Sequence, residues 1–105
     1  MMSSGITRIW HGKTRIEHAD EYLDYLFKTG VPDYTNTPGN LSCQILRRIE
    51  QDVCHFWMVT CWESIESIKK FKGEDFETAR YYPEDARYLL ELEPAVIHCE
   101  TYISP

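Results

Sequence analysis

The sequence lacks the features that mark several large classes of protein. No stretch reaches roughly 18 apolar residues, and residues 1–5 contain neither a basic region nor an apolar signal core, so we expect a protein of the cytoplasm. The net charge is -6, from 17 acidic and 11 basic residues, whereas phosphate binding requires a basic face. The composition therefore disfavours nucleic acid and membranes as partners, and we expect neither.

Motifs of metal and nucleophilic chemistry are also missing. No two cysteines have CxxC spacing, and the sequence contains no Ser-His-Asp pattern, Gly-rich phosphate loop or metal triad. We therefore predict no metal site and no bound cofactor. The cysteines are instead expected to be buried free thiols in a reducing compartment. They are Cys43, Cys54, Cys61 and Cys99.

The clearest positive feature is a hairpin in the middle of the chain. Leu41 to Glu50 and Val53 to Glu63 predict two strands, joined by a tight turn at Gln51-Asp52. The expected cross-strand neighbours are Ile49 and Cys54, Ile45 and Met58, and Leu41 and Trp62. Because side chains alternate across a strand, this register assigns every residue of the hairpin to one of two faces.

The two faces of the hairpin differ in polarity. The more apolar face, which we expect to meet the helices, carries Leu41, Cys43, Ile45, Arg47, Ile49, Cys54, Phe56, Met58, Thr60 and Trp62. The other face is mixed but too apolar for open water, and a second copy of the chain is the simplest cover. We therefore predict a homodimer whose sheets face each other. The predicted interface residues are Leu46, His55, Trp57 and Val59.

The rest of the chain supplies two more strands and the helices. Residues 6–13 predict the first strand, and Thr14 and Glu17 fit a capping box that starts a helix ending near Gly30. Residues 30–39 read as a long loop that carries Tyr34 and is either a lid or a simple connection. Ser64 would cap a helix ended by Gly73, a short helix would begin at Pro83, and residues 95–103 would form the last strand.

The resulting order is β-α-β-β-α-β, an α+β, ferredoxin-like fold with the helices on one face of an antiparallel four-stranded sheet. Right-handed crossovers place the first and third strands in the middle of that sheet. At 105 residues we expect one domain. Residues 1–5 would be a disordered leader, and residues 6–105 the folded domain.

The residues around the second helix carry a resemblance to a known family. The segments 59–75 (VTCWESIESIKKFKGED), 79–85 (ARYYPED) and 96–100 (VIHCE) are similar to those of antibiotic biosynthesis monooxygenase-like proteins, of the dimeric α+β barrel superfamily. The resemblance implies a family with cofactor-free oxygenases of aromatic polyketides, quinol monooxygenases and haem-degrading enzymes. This sequence departs from the haem-degrading pattern. Its first strand has no asparagine, Phe71 stands where that pattern has tryptophan, and Arg80 or Tyr81 falls near the place of its histidine.

The family resemblance and the residue chemistry together suggest a set of candidate site residues. His11 and His98 are the predicted acid–base residues, because a histidine can gain or lose a proton near neutral pH. The predicted substrate-binding residues are Tyr34, Trp62, Phe71, Arg80 and Tyr81. The function this suggests is a cofactor-independent monooxygenase acting on a small aromatic or quinol-type molecule between sheet and helices. The alternative is a non-catalytic dimeric module that binds a small ligand, in which these residues are core or surface residues.

Overall fold

The structure is a computed structural model that describes residues 4–104. Most of the predicted leader, residues 1–3, lies outside the described residues. Ser4 and Gly5 form backbone hydrogen bonds with Thr101 of 2.6 and 3.0 Å. This end of the described chain is therefore paired with the segment that follows the last strand.

Four antiparallel strands form a single sheet. They are β1 (Ile6–Arg15), β2 (Asn40–Glu50), β3 (Val53–Trp62) and β4 (Ile97–Glu100). Their order in the sheet is β2-β3-β1-β4, which confirms the predicted placement of β1 and β3 in the middle. The overall β-α-β-β-α-β order is confirmed as well, and two short helices are added to it.

Four α-helices lie in the segments between the strands. They are α1 (Ala19–Lys28), α2 (Gly30–Thr35), α3 (Ile65–Lys72) and α4 (Asp85–Tyr88), and a 3-10 turn over Ile16–His18 precedes α1. The predicted cap of α3 is confirmed, because the backbone N–H of Ser67 donates to the Ser64 hydroxyl at 3.2 Å. Gly73, with φ of 98°, ends this helix in a conformation that favours glycine.

Two predictions about the first helix and the loop after it are wrong. Thr14 does not cap a helix, since it belongs to β1 and its hydroxyl donates to the carbonyl of Arg15 at 2.9 Å. The predicted loop 30–39 begins instead with helix α2, whose Tyr34 is buried. Pro32 is compatible with α2 because proline is tolerated in the first turn of a helix.

The helix predicted to begin at Pro83 is only four residues long. After it the chain runs beside β1, where the N–H of Leu90 donates to the carbonyl of Lys13 at 2.9 Å. Leu89 is buried there, whereas Leu90 and Leu92 are about half exposed. The helix after Pro83 therefore ends before these three leucines and does not bury them together. After α4 the backbone hydrogen-bonds to β1 instead of continuing the hydrogen bonds of the helix.

The hairpin register is confirmed along most of its length. Ile49 lies opposite Cys54 and Ile45 opposite Met58, as expected. The pairing of Leu41 with Trp62 is wrong, because a β-bulge between Asn40 and Ser42 leaves Leu41 unpaired and more than half exposed.

The helices cover one face of the sheet, which we call the covered face; the opposite side is the open face. On β3 the covered face consists of buried residues, namely Cys54, Phe56, Met58, Thr60 and Trp62. Each large apolar side chain buried in this way contributes about 1.5–3 kcal/mol. The alternating residues of β3 on the open face are only partly buried.

Candidate active site between the sheet and the helices

A narrow cavity lies between the covered face and the helices. Its walls are so close that its volume is about 10 Å³, which is room for about one water molecule. Its lining residues are Trp10, Tyr22, Leu26, Gly30, Tyr34, Met58, Arg80, Tyr82 and Asp85. The wall is therefore mainly aromatic with a few polar groups, as is typical of sites for small molecules.

Asp85 is a buried carboxylic acid in the wall of this cavity. Its side chain accepts two hydrogen bonds, from the Tyr22 hydroxyl at 2.7 Å and from the backbone N–H of Tyr82 at 2.5 Å. Burial raises the pKa of Asp85, and the two hydrogen bonds act in the opposite direction. Burial, reinforced by the neighbouring carboxylate, also raises the pKa of the Tyr22 hydroxyl, which therefore keeps its proton.

A second carboxylate, Asp33 on α2, holds that helix to the segment before α4. Asp33 Oδ2 accepts a hydrogen bond from the Tyr82 hydroxyl at 2.5 Å and forms an ion pair with Arg80 at 3.1 Å. Burial is the main cause of the raised pKa of Tyr82, and the Asp33 carboxylate adds to it. These contacts, which we call the Asp33 latch, keep α2 closed over the cavity.

Aromatic stacking supports the same side of the cavity. The Tyr34 ring stacks on Phe71 with centroids 4.5 Å apart, and the Arg80 guanidinium lies 4.6 Å from the Phe71 centroid on α3. Such ring and cation–π contacts each contribute about 0.5–1.5 kcal/mol. Of the predicted substrate-binding residues, Tyr34 and Arg80 thus line the cavity and Phe71 lies behind them.

The two other predicted substrate-binding residues lie outside the cavity wall. Trp62 is fully buried on the covered face, and its indole N–H donates to the Thr60 hydroxyl at 2.8 Å. The Tyr81 hydroxyl donates to the backbone carbonyl of Glu93 at 2.5 Å, and its ring packs edge-on against Trp10. Both therefore contact residues of the core.

His98 lies on the covered face beside Arg8, a buried residue of β1. Arg8 Nη1 lies 2.9 Å from His98 Nε2 and also donates to the carbonyl of Phe76. Because a guanidinium only donates, His98 Nε2 must accept, and the neutral ring carries its proton on Nδ1. Burial and the charge of Arg8 lower the pKa of His98, which favours this neutral form.

His11 lies on the open face, away from His98 and from the cavity. Its Nδ1 is 2.6 Å from Glu93 Oε2, and its Nε2 is 2.8 Å from Nδ1 of His55. The other ring nitrogen of His55, Nε2, lies 3.3 Å from Glu50 Oε1. Both imidazoles also contact the ring of Trp57. The two predicted catalytic histidines, His11 and His98, therefore lie on opposite faces of the sheet and cannot act together in one site.

The predicted interface residues share the open face. Leu46 lies opposite Trp57 on the neighbouring strand, and His11 lies opposite Trp57 on the other side. Val59 is partly buried, and Leu46 is about half exposed. The described helices pack on the covered face, where the alternate residues of β3 are buried.

Sequence reasoning missed the residues that give the cavity its polar character. Neither Tyr22 nor Asp85 is among the candidate site residues that the sequence suggested. Nothing in their local sequence indicates contact, because 63 positions separate the hydroxyl from the carboxylate it meets. The tyrosine on an otherwise aliphatic helix stripe was the one available signal, since a buried tyrosine hydroxyl usually has a hydrogen-bond partner.

Other features of the surface offer less for chemistry. A wider groove of about 500 Å³ at the hairpin turn is open to solvent and is lined by residues that include Lys13, Glu50 and His55. Within residues 4–104, no cluster of three or more metal-ligating side chains occurs. No helix in the same range is long and apolar enough to cross a membrane.

The fold is similar to those of several solved proteins. A candidate antibiotic biosynthesis monooxygenase from Bacillus cereus has a TM-score of 0.66 at 11% identity, over 95% of each chain. MhuD, a heme degrader from Mycobacterium tuberculosis with two hemes bound in its active site, has a TM-score of 0.58 at 20% identity, over 95% of this chain and 98% of that one. A conserved protein from Methanosarcina mazei Go1 has a TM-score of 0.61 at 14% identity, over 94% and 95% of the two chains.

These likenesses establish a shared fold, and at such low identity they establish nothing finer. No protein-family model matches the sequence, and the search of curated proteins found no match. The resemblance to antibiotic biosynthesis monooxygenase-like proteins is thereby confirmed at the level of the fold.

Proposed function

We propose that the protein is a small monooxygenase that binds an electron-rich aromatic or quinol-type molecule in the cavity under α2, without a resident cofactor. The observation that carries this proposal is an aromatic-walled cavity containing one buried carboxylic acid, Asp85. Apolar walls with few polar groups suit a flat, partly polar ligand. The shared fold of the Bacillus cereus protein supports the class of reaction.

The chemistry required of the protein is removal of a proton from the bound ligand. A phenol or an activated ring carbon that loses a proton becomes electron-rich enough to reduce dioxygen. The Arg80 guanidinium and the tyrosine hydroxyls in the wall would orient the oxygen substituents of the ligand. Tyr34 would contact its ring, and Phe71 would hold Tyr34 and Arg80 in place.

Binding requires the cavity to widen, because it holds only about one water molecule as it stands. The Asp33 latch is the contact that must open, since it joins α2 to Arg80 and Tyr82. A six-residue helix has little stability of its own. Movement of α2 is therefore the proposed way in which the cavity admits a ring.

Heme does not fit this cavity. No histidine is among its lining residues, so the cavity wall offers no imidazole to hold the iron of a heme. The three departures from the haem-degrading pattern agree with this geometry. We therefore derive no step through heme.

Oxygen uptake tests the proposed reaction directly. The purified protein would be supplied with a panel of hydroquinones and anthrones, and uptake would be compared with buffer and with the Tyr34→Ala variant. Turnover above buffer that falls in the variant is the expected result, because Tyr34 forms part of the wall. Uptake equal to buffer for every compound would refute the enzymatic proposal.

We further propose a cytoplasmic homodimer in which the open faces of two copies pack together. Trp57, Leu46 and Val59 give that face apolar area that a second copy would bury. The cysteines are free thiols, which suits a reducing compartment, but the prediction that all four are buried is wrong. Only Cys54 is buried, Cys43 and Cys61 are partly buried, and Cys99 is exposed.

The dimer is tested by sedimentation of the Trp57→Lys variant. A lysine in the centre of the open face should give monomers or aggregates. The matched control is Ile49→Lys, which changes an exposed apolar residue on the other face of the sheet and should leave the assembly intact. A dimer that persists in Trp57→Lys would contradict the proposed interface.

The alternative is a dimeric module that binds a small ligand without reacting with it. The narrowness of the cavity and the absence of histidine from its lining favour this alternative. Saturable quenching of Trp10 fluorescence by an aromatic compound, without oxygen uptake, would support it.

A further inference from the structure

The residues that line the cavity include few groups able to accept a proton. The titratable ones are Tyr22, Tyr34, Arg80, Tyr82 and Asp85. Burial raises the pKa of all three tyrosines, so their hydroxyls remain protonated near neutral pH. An arginine guanidinium does not lose its proton in proteins. Of the lining residues that the structure describes, only Asp85 can therefore act as a base.

The geometry of Asp85 suits that role. An ionised carboxylate has about four lone-pair positions. Two of them are used by the Tyr22 hydroxyl and the Tyr82 N–H, so the side chain is held in one orientation and still has capacity for a proton. Burial moves the pKa of Asp85 upwards, towards the neutral range in which a general base is most effective.

The predicted histidines lack these properties. The accepting nitrogen of His98 already takes an N–H of Arg8, and its other nitrogen carries the ring proton. His11 is held by Glu93 and His55 on the far side of the sheet. Neither ring lines the cavity.

We propose that Asp85 is the general base of this site and that Tyr22 is its positioning residue. This inference rests on the proposed function, because it names the group that deprotonates the aromatic ligand. It replaces the histidines that sequence reasoning selected.

For an anthrone-type substrate, the reaction converts a CH₂ group to a carbonyl, with dioxygen as the oxidant. Asp85 takes one C–H proton, and the electron pair stays on the ring system. That electron pair forms a C–O bond to dioxygen, which is thereby reduced to a peroxide bound to the carbon. Asp85 returns the proton to the peroxide. It then takes the second C–H proton as the O–O bond breaks, and the departing hydroxide takes that proton to form water. Carbon is oxidised to a carbonyl, and dioxygen supplies one oxygen atom to it and one to water.

The test compares Asp85→Asn and Tyr22→Phe with the wild type. Oxygen uptake with an anthrone would be measured across the pH range, and binding by quenching of Trp10 fluorescence. Asp85→Asn should lower kcat by about 10²–10⁴-fold, the usual contribution of a general base, with little change in binding. The control is Asp75→Asn, since Asp75 is an exposed residue that pairs with Lys72 away from the cavity.

Tyr22→Phe tests the positioning role through the pH dependence of kcat/KM. A purely structural role of Tyr22 would leave that pH dependence unchanged. The lost hydroxyl stabilised the ionised carboxylate, so its removal raises the pKa of Asp85 further. The acid limb of the kcat/KM profile should therefore move to higher pH while the alkaline side is retained.

The outcomes distinguish this inference from the proposed function. Unchanged turnover in Asp85→Asn, or an unmoved acid limb in Tyr22→Phe, would overturn the role of Asp85 and leave the enzymatic proposal standing. Absence of turnover in the wild type would overturn both. If Asp85→Asn loses its near-ultraviolet circular dichroism and so is misfolded, the pH profile of Tyr22→Phe decides the question.

Discussion

The Asp33 latch gives the sharpest test of how the cavity is closed. Replacing Asp33 with alanine removes the ion pair to Arg80 at 3.1 Å and the hydrogen bond from the Tyr82 hydroxyl at 2.5 Å. The Tyr34–Phe71 stack, with centroids 4.5 Å apart, is retained after this change. We therefore expect α2 to open far more often in Asp33→Ala than in the wild type.

The magnitude follows from the exposure of the two contacts. The ion pair is about one-third exposed on both sides, so it contributes at the level of surface pairs, about 0.2–1 kcal/mol. The hydroxyl–carboxylate bond involves a charged acceptor and contributes about 1.5–3 kcal/mol. Together they predict a loss of about 1.7–4 kcal/mol, which corresponds to local opening that is more frequent by about 20- to 900-fold.

The assay combines urea unfolding with amide exchange of α2. The matched control is Asp24→Ala, which removes the pair with Lys28 at 2.9 Å between two largely exposed side chains and should cost less than about 0.5 kcal/mol. Asp33→Asn should give an intermediate result, because an amide oxygen can still accept the hydroxyl of Tyr82. Equal losses in Asp33→Ala and Asp24→Ala, or unchanged exchange in α2, would refute the reasoning.

Two further predictions concern His98 and Ser64. Burial and Arg8 lower the pKa of His98 below 6.5, so the folded state binds this proton less tightly. The contribution of His98 to the free energy of unfolding is therefore full above pH 6.5. It is lost as the pH falls below 6.5, by at most about 1.4 kcal/mol per pH unit. Urea titrations from about pH 8 to 5 should show a shallower decline in His98→Gln than in the wild type, and equal slopes would argue against this origin. Ser64→Ala should lower the free energy of unfolding by about 0.5–2 kcal/mol through loss of the α3 cap, and a change near zero would show that the Ser64 side chain contributes little to it.

Patterns of neighbouring residues were sufficient to predict the sheet. Alternation along β3 identified both of its faces, and the turn at Gln51-Asp52 set the register of the hairpin as far as Ile45 and Met58. The handedness of crossovers then placed β1 and β3 in the middle. The register error at Leu41 arose because a bulge depends on how the strand end meets its surroundings, not on the alternation itself.

The sequence by itself determined β1 to β3, their faces and the cap of α3, because these depend on the period of a strand and on hydrogen bonds a few residues apart. The last strand, predicted over residues 95–103, is shorter in the structure, Ile97–Glu100. Only the tertiary structure decided that Tyr34 is buried, that Asp85 meets Tyr22 and that His11 turns away from the cavity. Those outcomes depend on side chains far apart in the chain, whose meeting is set by the packing of helices on the sheet. Local sequence propensities do not report contacts between distant residues. The polar residues of the site could therefore be identified only once the fold had brought these side chains together.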